Sequence, residues 1–248
     1  MTQLTPAQNN PWLTRSVLRD LRVSCDSATQ VTIRQGAVVG SDDGAVVMEL
    51  SSDVTVDITT SGVNGLDTGS EAVSTWYYVY LIWNESNGQI DGLLSASSTS
   101  PAMPSGYTKK RLVSAVRNNS SGNFMAFVQQ GNKIVLYSGN GFAIYTGTPS
   151  ANTWYSLSPV VPHKAYAIGV FSGASAPSSQ DVNIHAVADV KSGSVGAGDS
   201  YVTLSHNEQA TDPVLPGETM LNANRQFSFY ITSSVSCWLY NYIIWMKL

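Results

Sequence analysis

Residues 76 to 83, Trp-Tyr-Tyr-Val-Tyr-Leu-Ile-Trp, are built only from aromatic and aliphatic side chains. An extended chain sends successive residues to opposite faces of a sheet, so neither face of this segment is left for water. A second run, CWLYNYIIWM at 237 to 246, has the same character apart from Asn241. Each must sit at the centre of a sheet covered on both sides, or be covered by another subunit. Neither approaches the roughly 20 apolar residues of a membrane-spanning helix, and no membrane insertion is expected. Because a terminal strand commonly takes an edge position, the second run is assigned to a subunit interface, with Trp238, Tyr240, Tyr242, Ile244 and Trp245 as its contact residues.

The rest of the chain from Val31 onward alternates with period two. In VTVDI (54 to 58) Val54, Val56 and Ile58 share one face, and in VNIHAVADV (182 to 190) Val182, Ile184, Ala186, Ala188 and Val190 do. Further strands are expected at 46 to 50, 111 to 116, 124 to 130, 133 to 137, 164 to 171, 201 to 204 and 227 to 232. Turn signals separate them: SDDGA, ESNGQ, NSSGN, QQGNK, SGNG and LPGE. Many short strands with no later helical pattern indicate an all-β fold of two β-sandwich, jelly-roll-like modules. A Gly/Ser/Thr/Asn-rich stretch at 138 to 154 places the boundary, giving modules at 31 to 137 and 138 to 248.

Residues 1 to 30 read differently. Asn10 before Pro11 resembles an N-cap with proline at N1, and Leu13, Val17, Leu18 and Leu21 then recur at helical spacing, with Arg15, Arg19 and Arg22 mostly opposite. A helix of about three turns is too short to stand alone. Its apolar stripe, completed by Trp12, is therefore expected to dock either on its own domain or on another subunit, where it would serve as an attachment arm.

Charge excludes several functions. Asp, Glu, Lys and Arg make up 12% of residues, about half the usual share, and the formal charge is -4. The longest basic run is Lys109, Lys110, Arg111, too little for a nucleic-acid footprint. The N-terminus lacks the charged and apolar regions of a signal peptide. Cys25 and Cys237 form no CxxC and are expected to be reduced thiols.

No motif for catalysis or cofactor binding emerges, and no cofactor is expected. His163, His185 and His206 are too far apart in sequence for HExxH or HxH, and no GxSxG elbow occurs. Asp42 with Asp43, and Glu208 with Asp212, lie in turn-like segments that suit solvated loop acids better than a glycosidase pair. GSVGAGDS (193 to 200) lacks the GK[ST] ending of a phosphate loop. In NESNGQIDG (84 to 92) Asn84, Glu85, Asn87 and Asp91 offer oxygens for Ca²⁺, but a tight turn accounts for them more simply. Trp154 and Tyr155, or Tyr107, are candidates for stacking on a sugar ring if they lie exposed in loops, although a buried or interfacial position is the simpler reading.

Residues 65 to 137 combine a GLDTG turn, the WYYVYLI strand, a GLLSAS strand end, a PSGYTKKR turn into LVSAVRN, and a GNF hairpin. In that order they resemble a module of tailed-bacteriophage virion proteins, found in tail fibres and accessory structural components. Weaker likeness continues to about residue 170. The resemblance implies a structural β protein without enzymatic chemistry, homotrimeric or otherwise symmetric, located in the virion after assembly in the bacterial cytoplasm. Its partners would be other tail or capsid proteins, with the N-terminal arm (Trp12, Leu13, Val17, Leu18, Leu21) docking and the β modules projecting. A capsid decoration or head-fibre protein, or a lectin-like module contacting a host glycan, remain open beside the tail or fibre assignment. Within the motif, Gly65 and Gly69 are expected at positive φ, with Asp67 bonding to its own turn.

Overall fold

The structure is a computed structural model that describes residues 15–136 and, beyond them, 142–147, 153–157, 161–175, 182–188, 202–206, 213–221, 224–225, 227–231 and 238–248. The chain divides into two compact units, Met1–Ile134 and Val135–Leu248. Among the described residues almost all regular structure is β-strand, so the protein is all-β.

The first unit opens with β1 (Leu18–Arg19), β2 (Arg22–Cys25), β3 (Gln30–Ile33), β4 (Val38–Gly40), β5 (Val47–Glu49) and β6 (Val54–Asp57). From Leu18 onward the expected helix is replaced by strands. Leu18 pairs with Val39 and Arg19 with Val38, while Val23 pairs with Ile33. Asp20, at φ 52, turns the chain between β1 and β2. The apolar spacing of Val17, Leu18 and Leu21 suits a helix, but Leu21-Arg22-Val23 also alternates. Both Leu21 and Val23 are 1% exposed, and a short helix cannot compete with that burial. Leu21 is therefore spent inside its own unit and offers nothing to a docking partner; Trp12 and Leu13 lie outside the described residues.

Strands β10 (Phe127–Gln130) and β11 (Lys133–Leu136) extend this half into a sheet of order β11-β10-β2-β3-β6. Val23, Ile33 and Val54 form one buried row across it, with Val31 and Val56 in another. The opposite face is polar: Thr32 and Thr55 share a 2.8 Å hydroxyl bond, and Gln30 Nε2 donates to Asp57 Oδ2 at 2.8 Å. Strands β1, β4 and β5 form a separate three-stranded sheet.

The third sheet has order β8-β7-β9, from β7 (Trp76–Asn84), β8 (Ile90–Ser95) and β9 (Tyr107–Arg117). The aromatic segment is its central strand, and Tyr77 through Ile82 are all buried. Its own unit therefore covers both faces. Two bulges shape β9. Val79 pairs with Ser114 and Tyr80 with Leu112, leaving Val113 as an extra residue; Trp83 pairs with Lys109 and Asn84 with Tyr107, leaving Thr108 extra. The Val113 carbonyl accepts a 2.7 Å bond from buried Gln129 Nε2, which also donates to Gly131 O at 2.7 Å. One amide thus ties the β10–β11 turn to a bulge in another sheet.

The GLDTG segment joins β6 to β8. Asp57 N donates to Asn64 O, Asn64 N to Gly92 O, Leu94 N to Gly65 O and Asp67 N to Leu94 O, at 2.8–2.9 Å. Asp67 also accepts from Thr68 N at 2.7 Å and from Ala102 N at 2.8 Å, so it holds its own turn and a second loop. Gly69 has φ 79 as expected. Gly65 does not need positive φ; a Cβ there would run into the Thr60 backbone, so close approach fixes glycine at that position.

The second unit contains β12 (Phe142–Gly147), β13 (Thr153–Leu157), β14 (Ala167–Ser175), β15 (Val182–Ala188), β16 (Val202–His206), β17 (Pro213–Met220), β18 (Phe227–Ile231) and β19 (Trp238–Lys247). One antiparallel sheet has order β13-β18-β15-β16. In another, β14 lies between β17 and β19. The LPGE segment, expected as a turn, lies inside β17: Val170 pairs with Gly217 and Ser172 with Val214, so Leu215 and Pro216 bulge from an outer strand where a missing N–H is tolerated. The edge position expected for the C-terminal run is overturned, because β19 pairs with β14 along one side and with β12 along the other. Two strands already meet its backbone groups, so Trp238, Tyr240, Tyr242, Ile244 and Trp245 belong to an interior strand. Ile244 is the extra residue of a bulge between the Trp245–Gly169 and Ile243–Val170 pairs.

Candidate functional site: a polar cleft floored by Asp91

The connection from β7 to β8 is a turn held by its own side chains. Asn84 Oδ1 accepts from Ser86 N at 3.0 Å and from Ser86 Oγ at 2.7 Å, and Asn87 Oδ1 accepts from Gln89 N at 2.9 Å. Gly88 N donates to Asn84 O at 2.8 Å, with Gly88 at φ 73, where glycine carries no steric cost. The tight turn read from the sequence is what forms. The Asn84 and Asn87 oxygens that would serve Ca²⁺ are bonded to amides and a hydroxyl of the turn, and among the described residues no cluster of three or more His, Cys, Asp or Glu could hold a metal ion.

Two residues along β8 lies Asp91, 7% exposed. Its Oδ1 accepts from Asn64 Nδ2 at 2.9 Å and its Oδ2 accepts from the Tyr107 hydroxyl. Asn64 is at φ 58, a left-handed conformation that asparagine tolerates well, and its Oδ1 takes Gly92 N at 2.8 Å. Tyr107 reaches Asp91 from the first residue of β9, beside the Thr108 bulge, a common place for a bulge to re-aim a side chain. Burial, then the hydrogen bond to Asp91 and that carboxylate's charge, push the Tyr107 phenol up to about 12. Asp91 is thus a buried carboxylate held by two neutral donors.

Asp91 and Asn64 floor a cleft of about 470 Å³. One wall is the β5–β6 connection with Ser51, Ser52 and Asp53; the other is the turn at Gly88 and Gln89. Asp53 is fixed by Gln35 N at 2.8 Å and Arg34 Nη1 at 3.1 Å, which hold its carboxyl below the usual carboxylate range. Among the described residues no Lys, Arg or His lines the cleft. Its polar groups are carboxylates, side-chain amides and hydroxyls.

The basic run takes another course. Lys109 Nζ lies 2.7 Å from Asp43 and Lys110 Nζ 3.0 Å from Asp42, while Arg111 Nη1 donates to Arg15 O at 3.0 Å. Lys110 also sits 5.7 Å from the Tyr80 ring centroid. The SDDG turn between β4 and β5 thereby neutralises the only run of positive charge. Burial would raise Asp43, but bonds from Lys109, Ser41 and Ala45 N outweigh it and hold its carboxyl at about 2. Asp42 and Asp43 are therefore ion-paired turn residues.

Tyr107, a candidate stacking residue, is instead buried against Asp91. Trp154 and Tyr155 fall in strand β13, opposite Tyr230 and Phe229 of β18, rather than in a loop. His185 and His206 lie in paired strands three rungs apart, and His163 is exposed. Glu208, Asp212, residues 193 to 200 and Cys237 lie outside the described residues. Cys25 is a free, half-buried thiol that burial pushes up. The Asn64–Asp91–Tyr107 group was missed in the sequence; its one signal is a lone carboxylate in the otherwise apolar stretch Ile90 to Leu94.

No protein-family model matches the chain, and no curated protein is found as a relative.

Proposed function

We propose that the protein is a non-enzymatic structural component of a tailed-phage virion, belonging to the tail or fibre apparatus. In this reading it assembles as a homotrimer of β-sandwich, jelly-roll-like modules and docks on a neighbouring virion protein through residues ahead of Leu18, including Trp12 and Leu13. The reading is carried by one observation: the residues of the phage-like motif are occupied in holding the fold. Asp67 bridges two loops, Gly69 and Gly106 take positive φ at turns, Tyr107 supports Asp91, and Lys109 and Lys110 pair with Asp43 and Asp42. The scarcity of charge adds support, because charged side chains are depleted in interface cores.

Quantitative mass spectrometry of purified particles tests it. A few copies per virion are expected. Hundreds would move the protein to the capsid surface, and absence from purified particles would refute the reading.

A further inference from the structure

We propose that the cleft beside Asp91 binds a neutral oligosaccharide by its hydroxyl groups. The site lies wholly in the first unit, whereas Trp154 and Tyr155 belong to the second, and it does not depend on the virion reading. Three features carry the inference.

The first is size. At about 470 Å³ the cleft falls within the range of small-molecule sites and has room for more than one sugar ring.

The second is chemistry. The lining includes the carboxylates of Glu49, Asp53 and Asp91, the amides of Asn64 and Gln89, and the hydroxyls of Ser51 and Ser52. A carboxylate has about four acceptor positions, so Asp91 keeps capacity beyond the bonds from Asn64 and Tyr107. Such a surface is rich in acceptors and suits a ligand that donates many hydrogen bonds. With no cationic lining residue, phosphate, sulfate or an anionic glycan would meet uncompensated negative charge. Among the described residues no aromatic side chain lines the cleft, so it presents no stacking surface for a nucleobase. Asp53 is paired with Arg34, each Asp91 oxygen already takes a donor from Asn64 or Tyr107, and among the described residues no three acidic groups converge to hold a metal ion, so the cleft offers a polyol separate acceptors rather than a cation a cage.

The third is preorganisation. Gln89 is fixed by Asn87, Asp53 by Gln35 and Arg34, and Asn64 by Gly92 and Asp91. A ligand therefore meets walls that need little ordering on binding, and ordering is a main cost of association.

The test uses the full-length protein on an array of neutral, sulfated and carboxylated glycans, followed by calorimetric titration with the best neutral binder, with spermine and with CaCl₂. Ser52→Arg fills the cleft from an exposed position, and Gln89→Ala removes an amide at the rim; circular dichroism and melting temperature confirm that both fold. A neutral glycan is expected to bind with a dissociation constant of about a millimolar or tighter, weakened at least tenfold by Ser52→Arg and severalfold by Gln89→Ala. Failure of every neutral glycan to bind, tighter binding of an anionic glycan, preference for spermine or Ca²⁺, or unchanged binding in the folded Ser52→Arg variant would each overturn the proposal.

Discussion

Tyr107→Phe removes one oxygen and leaves the ring in place, so it isolates the hydrogen bond to Asp91 from any change in packing volume. Asp91 is 7% exposed and takes donors from Asn64 and Tyr107. A hydrogen bond to a charged group contributes about 1.5–3 kcal/mol. Water entering from the cleft can replace part of it, which favours the lower half of that range. For a unit of this size the loss corresponds to a melting temperature lower by roughly 5–10 °C. Thermal and urea unfolding followed by circular dichroism measure it. In an Asp91→Asn background the same substitution should cost less, because the acceptor is no longer charged; the double-mutant cycle gives the coupling directly. The pH dependence has a definite sign. The folded phenol is raised to about 12 from its ordinary value of 10.0, so its contribution is fully present below pH 10 and is lost as pH rises through about 12. The gap between native protein and Tyr107→Phe should therefore narrow over that interval. A variant that melts within a degree of the native protein at pH 7 would refute the account of Asp91 as a carboxylate dependent on Tyr107.

Three other outcomes are expected. Gly92→Ala places a Cβ against the Val56 side chain, with Val54 Cγ1 at 3.1 Å, and should destabilise the first unit by about 1–3 kcal/mol through overpacking; a neutral result in chemical denaturation would show that β6 and β8 can separate freely. Gln129→Glu sets a carboxylate against the carbonyls of Val113 and Gly131, and should cost about 3 kcal/mol or more at pH 7, whereas Gln129→Leu should cost less; equal melting points for the two would be incompatible with the amide donating to both carbonyls. The Asp43–Lys109 ion pair of the SDDG turn, with its carboxyl lowered to about 2, is fully present above pH 3.8 and lost as pH falls through 2, so chemical shifts at Asp43 and Lys109 should change there and remain steady at pH 4 to 7.

The two-faced burial of β7 was legible because a run without polar residues has only one stable location in a sheet. VTVDI was legible for the opposite reason, its alternation matching buried Val54, Val56 and Ile58 with exposed Thr55. The stretch from Val17 to Cys25 misled because three apolar residues at 17, 18 and 21 fit a helical stripe, while the pairing that decides the matter comes from Val38 and Val39, about 20 residues away. The cleft could not be read at all. Its floor joins Asn64 and Asp91, 27 residues apart, with Asp91 held by Tyr107 a further 16 residues on, and its walls are turns that periodicity does not align. Trp154 and Tyr155 are open to two readings in the sequence, a sugar-stacking loop or a buried or interfacial position, and backbone pairing with β18 places them in a strand.

The interior position of β19 has a consequence for synthesis. Strand β14 ends at Ser175, but its partner along one side begins at Trp238. At about 5–20 residues per second, roughly 60 intervening residues take about 3–12 s to appear. Throughout that interval one edge of β14 is a row of open hydrogen-bonding groups, able to pair with another nascent chain. Strand β7 faces a far shorter wait, since both its partners, β8 and β9, are made by Arg117. Slow translation or a stall between residues 176 and 237 should therefore raise the yield of aggregated protein more than a stall of equal length before residue 134.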